Sequence, residues 1–335
     1  MRYELAPWGA TIAELAEVSA RADAAGVPGI WLPELHRSAT VPLAAVAAAT
    51  GTATVGTAIA LGFVRSPLIT ALEALDLDEL SGGRLVLGLG TGVRRLNESW
   101  HHAAFGQPVE HLRETVAAVR AIVAGADRGE PIELAGEHEP VSIRGWRRPF
   151  PPARRAIPVY LASTGPRLTQ LAGEIADGWL AHELGSPRYL RERVLPLLDA
   201  GAAGAGRPRP QVVVSACCVP WPDAAQARRW AAGTVAFYAS VRTYEAFFAF
   251  HGFGDEARAC QAAFRAGEPA PVPDAMVDAL TLAGPPAGIA DRLAGYRGLA
   301  DAIKLAPPGH GVPDEVTRQV QEEIIRMISR KGPAA

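Results

Sequence analysis

Side chains able to do chemistry follow several short apolar runs of this 335-residue chain. Glu34 and His36 come after the run Gly29-Ile30-Trp31-Leu32, and Thr91 and Asn97 come after a later run that ends at Gly90. A carboxylate and an imidazole are the groups that most often exchange protons near neutral pH. If the runs are parallel strands, all these residues lie at the edge of the sheet where ligands bind.

A third set of residues is typical of an anion site. Ser163, Thr164 and Gly165 offer two hydroxyls and close backbone N–H groups directly ahead of a predicted helix, and Arg167 adds positive charge. A helix N-terminus with free N–H groups binds phosphate. The alternative is an ordinary helix cap, because Ser or Thr ahead of a Pro-led helix requires no ligand.

Other chemical motifs are weak. Gly88, Gly90 and Gly92 lack the spacing of a dinucleotide fingerprint, and no nucleophile-elbow serine is present. The histidines have no zinc-ligand spacing, and His138 stands between two glutamates on a presumed hairpin tip, where we expect it to face water. We therefore expect neither a hydrolase nor a metal site.

The elements that must position these residues alternate between strand and helix. Continuous apolar strands are typical of a parallel sheet buried on both faces. Eight such strands, each followed by a helix, predict a TIM (β/α)8 barrel in a single domain over residues 1–330. The predicted strands are Arg2–Ala6, Gly29–Leu32, Thr54–Leu61, Arg84–Gly90, Ile157–Ser163, Gly178–His182, Val212–Val219 and Ala302–Leu305.

Two insertions interrupt the alternation. The segment Pro131–Arg155 predicts a β-hairpin before strand five. The segment from about 224 to 279, after strand seven, is too long for one crossover and predicts an aromatic-rich helical insertion. We expect this insertion to cover the active-site mouth, the alternative being that its aromatic stripe packs on the barrel flank.

Composition limits the classes of partner. The net charge is −2 without a block of like charge, so neither nucleic acid nor a membrane surface is an expected partner. Three cysteines without a disulfide pattern, and an N-terminus without an apolar signal core, predict a cytoplasmic protein that acts on a small molecule.

Three stretches, taken in order, carry a family resemblance. They are Thr57-Ala58-Ile59 to Arg65-Ser66-Pro67, Leu80 to Gly92, and Ile157 to Arg167 running on to Trp179. With the hairpin and the insertion in their places, the chain resembles the luciferase-like monooxygenase superfamily over essentially its whole barrel. The branch that it resembles is the coenzyme F420-dependent one.

The resemblance implies a cofactor site. It implies a non-prolyl cis peptide between Ala58 and Ile59, against the deazaflavin ring, and cofactor contacts at Thr91 and Asn97. It also implies that Ser163, Thr164 and Gly165 lie on the loop that holds the cofactor phosphate, next to the positive charge of Arg167. Val93 replaces a glutamate that sugar-phosphate-oxidising relatives use, so glucose 6-phosphate is not expected as the substrate.

The function that follows is F420-dependent hydride transfer to or from an organic small molecule, in an expected homodimer. Glu34 and His36 are the candidates for the proton role. For Glu34 the alternative is a carboxylate that binds backbone amides, and for His36 it is an exposed loop position. Two other functions stay open: an FMN-dependent monooxygenase that uses reduced flavin and O2, and a ligand-binding barrel without catalysis.

Overall fold

A computed structural model describes residues 1–330. Residue contacts group the chain into two compact units. The first comprises residues 1–28, 181–196 and 212 onward, and the second comprises residues 29–180 and 197–211. Within residues 1–330, no helix has both the length and the apolar character needed to cross a membrane.

The elements alternate along the chain. The first half contains β1 (Arg2–Leu5), α1 (Ile12–Ala24), β2 (Gly29–Leu32), α2 (Thr40–Ala49), β3 (Thr54–Thr57), β4 (Ala60–Leu61), α3 (Pro67–Leu80), β5 (Leu85–Gly90), α4 (Pro108–Gly125), β6 (Ile132–Leu134), β7 (Val141–Ile143) and β8 (Val159–Ala162). The second half contains α5 (Pro166–Ile175), β9 (Gly178–Leu180), α6 (Pro187–Tyr189), α7 (Leu195–Gly204), β10 (Gln211–Pro220), α8 (Ala224–Ser240), α9 (Glu245–Phe250), α10 (Gly254–Ala266), α11 (Asp274–Leu280), β11 (Leu282–Gly284), α12 (Pro286–Ala294), β12 (Ala302–Ala306) and α13 (Asp314–Ser329).

Both units are built on parallel strands. The first unit pairs its strands in the order β11–β10–β12–β1. The second pairs them in the order β2–β3–β5–β8–β9, with β4 also beside β5. Taken along the chain, β1, β2, β3 with β4, β5, β8, β9, β10 and β12 are eight strands, each followed by at least one helix. The predicted TIM-barrel fold is confirmed in this order.

The predicted strands are confirmed with ends that differ by at most two residues, apart from the third strand, which is divided. The hairpin forms as β6 and β7, an antiparallel pair in which Ile132 faces Ile143. The segment after β10 is helical, as predicted, and contains α8 to α11. Its expected place over the active-site mouth stays a prediction.

Three details differ from the sequence prediction. The third strand was predicted to be continuous over 54–61, but it ends at Thr57 and resumes at Ala60. The backbone turns between them, where the Ile59 carbonyl accepts a hydrogen bond from the Glu34 N–H at 3.1 Å. The short β11 and helix α12 were not predicted, nor was the π-helix Leu96–Trp100. Each is too short or too polar to give a periodic signal.

A close backbone approach joins β3 to β5. The Thr57 hydroxyl donates to the Gly88 carbonyl at 2.7 Å and accepts from the Gly88 N–H at 2.8 Å. A Cβ added at Gly88 would overlap the Thr57 carbonyl oxygen, so only glycine fits this position. The pair therefore sets the spacing of the strand ends that carry the candidate cofactor residues.

Candidate functional site

In the second unit, the Glu34 carboxylate is held from several sides. Its two oxygens face the Arg65 guanidinium, and one of the hydrogen bonds, from Nη1 to Oε2, is 3.0 Å long. The same carboxylate accepts from the Leu61 N–H at 2.8 Å and from the Ala39 N–H at 3.3 Å. The Arg65 and Glu34 side chains are only 15% and 9% exposed, so the pair is largely shielded from water. Glu34 thus fixes the backbone around β4.

His36, the other candidate for the proton role, is exposed on the loop after β2. Among residues 1–330 it makes no hydrogen bond or ring contact, so nothing fixes its ring. The structure therefore separates the two candidates: the Glu34 side chain is fixed by hydrogen bonds, and the His36 side chain is free.

The Ala58–Ile59 peptide bond is cis, as the resemblance implies. Both residues are partly exposed, although β3 before them and β4 after them are almost entirely buried. The Ile59 side chain packs against Gly90, where an added Cβ would lie 3.0 Å from Ile59 Cδ1. The ends of β3 and β5 thus meet at this point.

Thr91 and Asn97 lie together after β5. Asn97 is fully buried, and its amide nitrogen donates to the carbonyls of Thr91 at 2.8 Å and Val93 at 3.1 Å. Its Oδ1 is buried and has no hydrogen-bond partner within the described chain. The Thr91 hydroxyl bonds the neighbouring Gly92 carbonyl at 3.0 Å. A buried acceptor without a partner is costly, and a ligand donor would satisfy it.

The Ser163 hydroxyl fixes the loop after β8 through hydrogen bonds. It accepts from the Trp179 indole N–H at 2.8 Å and lies 2.8 Å from the Thr169 hydroxyl. Ser163 is buried, whereas Thr164 and Gly165 are partly exposed at the start of α5. Ser163 therefore fixes the loop internally, and the next residues face outward.

A cavity of about 650 Å³ lies at the N-termini of α4 and α5. Its lining residues are Gly106 to Glu110 and Gly165 to Leu168. Neither helix has a side-chain cap, because Gln107 and Gly165 make no capping hydrogen bond. The backbone N–H groups of Val109, Glu110, Arg167 and Leu168 therefore have no hydrogen-bond partner within the described chain. Two uncapped helix N-termini that line one cavity are favourable surroundings for an anion.

The two charged side chains near this cavity, Arg167 and Glu110, differ in their contacts. Arg167 is exposed and, within residues 1–330, makes no hydrogen bond or ion pair. Glu110 is turned toward Arg113, with 3.3 Å between its Oε2 and the guanidinium Nε. The positive side chain is free to meet an anion, and the negative one is partly neutralised.

His138 differs from its prediction. Instead of facing water at the hairpin tip, it stacks on His111 with 5.0 Å between ring centroids, and its Nε2 is buried. The other face of His111 stacks on Phe63 at 3.8 Å. This stacking shields the faces of the rings from water. The glutamates on either side of His138 in the sequence gave no indication of it. Within the described chain, no group of three or more His, Cys, Asp or Glu side chains is arranged to hold a metal ion.

In the first unit, His182 and Glu183 lie on the loop after β9. His182 is surrounded by rings, with centroids 5.5 Å from Tyr238, 5.0 Å from Tyr244 and 4.7 Å from Phe247. Burial, with a smaller effect of His251, lowers the pKa of His182 to about 3. The signal available in the sequence was a His-Glu pair after a strand together with an aromatic-rich insertion.

Beneath these rings, two opposite charges lie deep in the first unit. Lys304 of β12 is in register with Glu4 of β1 and Ser215 of β10. Burial lowers the pKa of Lys304, against the opposing effects of Glu183 and Glu4. Burial likewise raises the pKa of Glu183, against the opposing effect of Lys304. Each charge is thus compensated by its neighbour.

Comparison with known proteins shows the family of this chain. The model of the luciferase-like monooxygenase family matches residues 3–302, so the chain belongs to that family and is an enzyme of it. A Mycobacterium tuberculosis protein provisionally named a coenzyme F420-dependent oxidoreductase is 35% identical over 188 residues, 53% of each chain. The 5,10-methylenetetrahydromethanopterin reductase of Methanolobus tindarius is 28% identical over 289 residues, 82% of this chain and 84% of that one.

A solved structure supports the fold. The coenzyme F420-dependent tetrahydromethanopterin reductase of Methanopyrus kandleri superimposes with a TM-score of 0.78 over 98% of this chain and 97% of its own. The two sequences are 20% identical, so this likeness concerns the fold.

The lowered pKa of His182 predicts a pH dependence of stability. Below its ordinary pKa of 6.5, the unfolded chain binds a proton that the folded chain does not bind until about pH 3. The free energy of unfolding should therefore decrease as the pH is lowered below about 7, by about 1 kcal/mol per pH unit for this one group. Urea denaturation of wild type and His182→Phe between about pH 7 and pH 5 measures this.

We expect the His182→Phe variant to lose less stability than the wild type as the pH falls through this range. The exposed His101 provides the control, and His101→Phe should follow the wild-type pH dependence. If His182→Phe also follows it, the folded protein does not exclude the proton from His182.

Proposed function

We propose that this chain is an F420-dependent oxidoreductase, which transfers a hydride between C5 of the deazaflavin and an organic small molecule. The observation that carries the proposal is the cavity at the uncapped N-termini of α4 and α5, beside the loop that the resemblance assigns to the cofactor phosphate. The names of the relatives support F420 as the cofactor.

The described residues fit such a cofactor in two respects. The N–H groups of Arg167 and Leu168 and the Arg167 guanidinium provide donors for a phosphate, and the loop is fixed from beneath by Ser163. The unpartnered Oδ1 of Asn97 provides a buried acceptor. The bound deazaflavin would supply the hydride chemistry itself.

The remaining proposed contacts come from residues after β3, β5 and β8. Ala58 and Ile59 would support the ring system, Thr91 would lie beside it, and Thr164 and Gly165 would contact the phosphate. Glu34 acts on the first of these segments, because it binds the Leu61 N–H by its side chain and the Ile59 carbonyl by its backbone. Its proposed proton role is that of an acceptor, since its carboxylate accepts hydrogen bonds and donates none.

An FMN-dependent monooxygenase is the second candidate function. The description of the family itself favours it, and an uncapped helix pair binds the phosphate of either cofactor. The names of the relatives that give a cofactor make F420 the first choice.

We also propose a homodimer through α2 and α3 of the second unit. Helix α2 contains no charged residue, and Val41 is 60% exposed on it. Ile69 of α3 is 46% exposed. A helix without charge, next to exposed aliphatic side chains, is typical of a surface that a second copy covers.

Cofactor titration tests the proposed function. Trp179 donates to Ser163, so its fluorescence reports on the loop that is to bind the phosphate. We expect F420 to bind more tightly than FMN, and Arg167→Ala to weaken F420 binding about tenfold through loss of a charge-assisted contact. The exposed Arg191, far along the chain from these loops, provides the control Arg191→Ala. Tighter binding of FMN would favour the monooxygenase, and binding of neither would contradict both.

The proton role of Glu34 predicts that Glu34→Gln abolishes turnover while F420 still binds. Glu34→Asp keeps a proton acceptor, so it should retain more turnover than Glu34→Gln. His36→Asn is the paired variant and should lower turnover for the same reason, because Asn cannot take up a proton. A Glu34→Gln enzyme that also loses F420 binding, and that Glu34→Asp does not rescue, would show that Glu34 only positions the backbone. Unchanged turnover would contradict any role.

Charged substitutions at Val41 and Ile69 test the proposed dimer. The double variant Val41→Arg, Ile69→Arg should sediment as a monomer where the wild type sediments as a dimer, because two buried guanidinium groups would repel their copies. Glu17→Arg, on the exposed side of α1, is the matched control and should leave the dimer intact. A double variant that remains dimeric would exclude this face.

A further inference from the structure

The loop after β9 fixes the tautomer of His182. The Leu184 backbone N–H donates to Nδ1 of His182 at 3.2 Å, so Nδ1 carries no proton. A neutral imidazole has one protonated nitrogen, which must then be Nε2. Within the described chain this Nε2–H has no hydrogen-bond acceptor, although the side chain is partly accessible. His182 therefore presents one oriented, uncharged donor.

Aromatic side chains form the walls around this donor. The rings of Tyr244 and Phe247 meet His182 nearly edge to face, at interplanar angles of 67° and 89°. Tyr238 and Tyr244 also pack on each other, 4.9 Å apart at 86°. Such a wall favours flat or alicyclic carbon skeletons.

The wall is tied to the loop that carries His182. The Ser186 hydroxyl lies 2.8 Å from Nε2 of His251, and Nδ1 of His251 donates to the Phe247 carbonyl at 2.8 Å. Tyr189, on the same loop, packs edge to face on Phe247 at 5.0 Å. The loop and α9 are thus joined by hydrogen bonds and ring contacts, and the donor and the wall keep a fixed relation.

The charges near the donor compensate one another. Glu183 is next to His182, and its electrostatic partner is Lys304, which in turn also acts on Glu4. The Tyr238 hydroxyl adds only a long contact of 3.5 Å with the Glu183 N–H. Glu183 and Lys304 have opposite formal charges, so the pair favours neither an anionic nor a cationic substrate.

We propose that His182 is a specificity-determining residue that donates a hydrogen bond from Nε2 to the carbonyl or hydroxyl oxygen of an uncharged substrate, whose ring or alicyclic skeleton packs on the partly exposed Tyr238 and Tyr244. This inference deepens the proposed oxidoreductase function and rests on it for the word substrate. A hydride-transfer enzyme acts at the carbon that bears such an oxygen, so the chemistry of the donor and that of the reaction agree.

Binding of a simple aromatic ketone tests the proposal without any cofactor. Acetophenone is the probe, and its affinity is measured by saturation-transfer NMR on the full-length protein. We expect His182→Phe, which keeps the ring packing but lacks the donor, to bind acetophenone about tenfold more weakly. His182→Gln, whose amide N–H replaces the donor, should recover most of the affinity, and His101→Phe should bind as the wild type does.

A second measurement reads the donor directly. In protein labelled with nitrogen-15 histidine, we expect His182 to show the Nε2–H tautomer, and its Nε2 resonance to shift when acetophenone is added. An Nδ1–H tautomer, or equal affinity in His182→Phe, would overturn the assignment of His182. Absence of acetophenone binding to the wild type, or equally tight binding of the anion phenylglyoxylate, would overturn the substrate class.

The two proposals fail in different experiments. If F420 does not bind but acetophenone binding depends on His182, the cofactor proposal fails and the recognition site stands. If F420 binds but His182→Phe binds acetophenone as tightly as the wild type does, the cofactor proposal stands and the assignment of His182 fails. The NMR tautomer is measured on the wild-type chain. It therefore tests the assignment of His182 even where a variant folds poorly.

Discussion

The contact between Thr57 and Gly88 determines how close β3 and β5 can come. The threonine hydroxyl binds both backbone groups of Gly88, and no Cβ fits between the strands. Because the strands end a few residues later, their spacing also determines where Ile59 meets Gly90 and where Thr91 leaves the sheet. Rigid strands with small residues at their ends can present a loop backbone to a ligand more accurately than long loops can.

Electrostatics divides the functional residues into two kinds. Charges that fix structure are fully engaged, as in the Glu34–Arg65 pair, where a planar guanidinium faces both carboxylate oxygens. Polar groups that we propose to face ligands are left with bonding capacity, as at Asn97 Oδ1 and at the N-terminus of α5. Buried capacity of this kind costs stability, and an enzyme gains binding energy from it when the ligand arrives.

Periodicity predicted most of the fold, since buried parallel strands are short continuous apolar runs and their helices are amphipathic. The start of helix α3 follows a local pattern of this kind, because Ser66 caps it and Pro67 opens it. The break between β3 and β4 could not be read, because the residues on either side are equally apolar. The pairing of Glu34 with Arg65 could not be read either, since it joins loops from different strands. The resemblance, not periodicity, located the cis peptide at Ala58–Ile59, and the roles that it implies for Thr91, Asn97 and Ser163 to Arg167 stay predictions.

The hydrogen bond between Ser186 and His251 has a consequence for the evolution of this enzyme. The ring wall and its donor come from chain segments 181–196 and 224–250, whereas the proposed cofactor contacts come from segments 58–110 and 163–168. Substitutions in the wall can therefore accumulate without changing any residue that we propose to bind the cofactor. Related enzymes that use one cofactor can therefore come to accept different substrates through a few substitutions of ring side chains. The hydrogen bond between Ser186 and His251 meanwhile keeps the loop after β9 and helix α9 together.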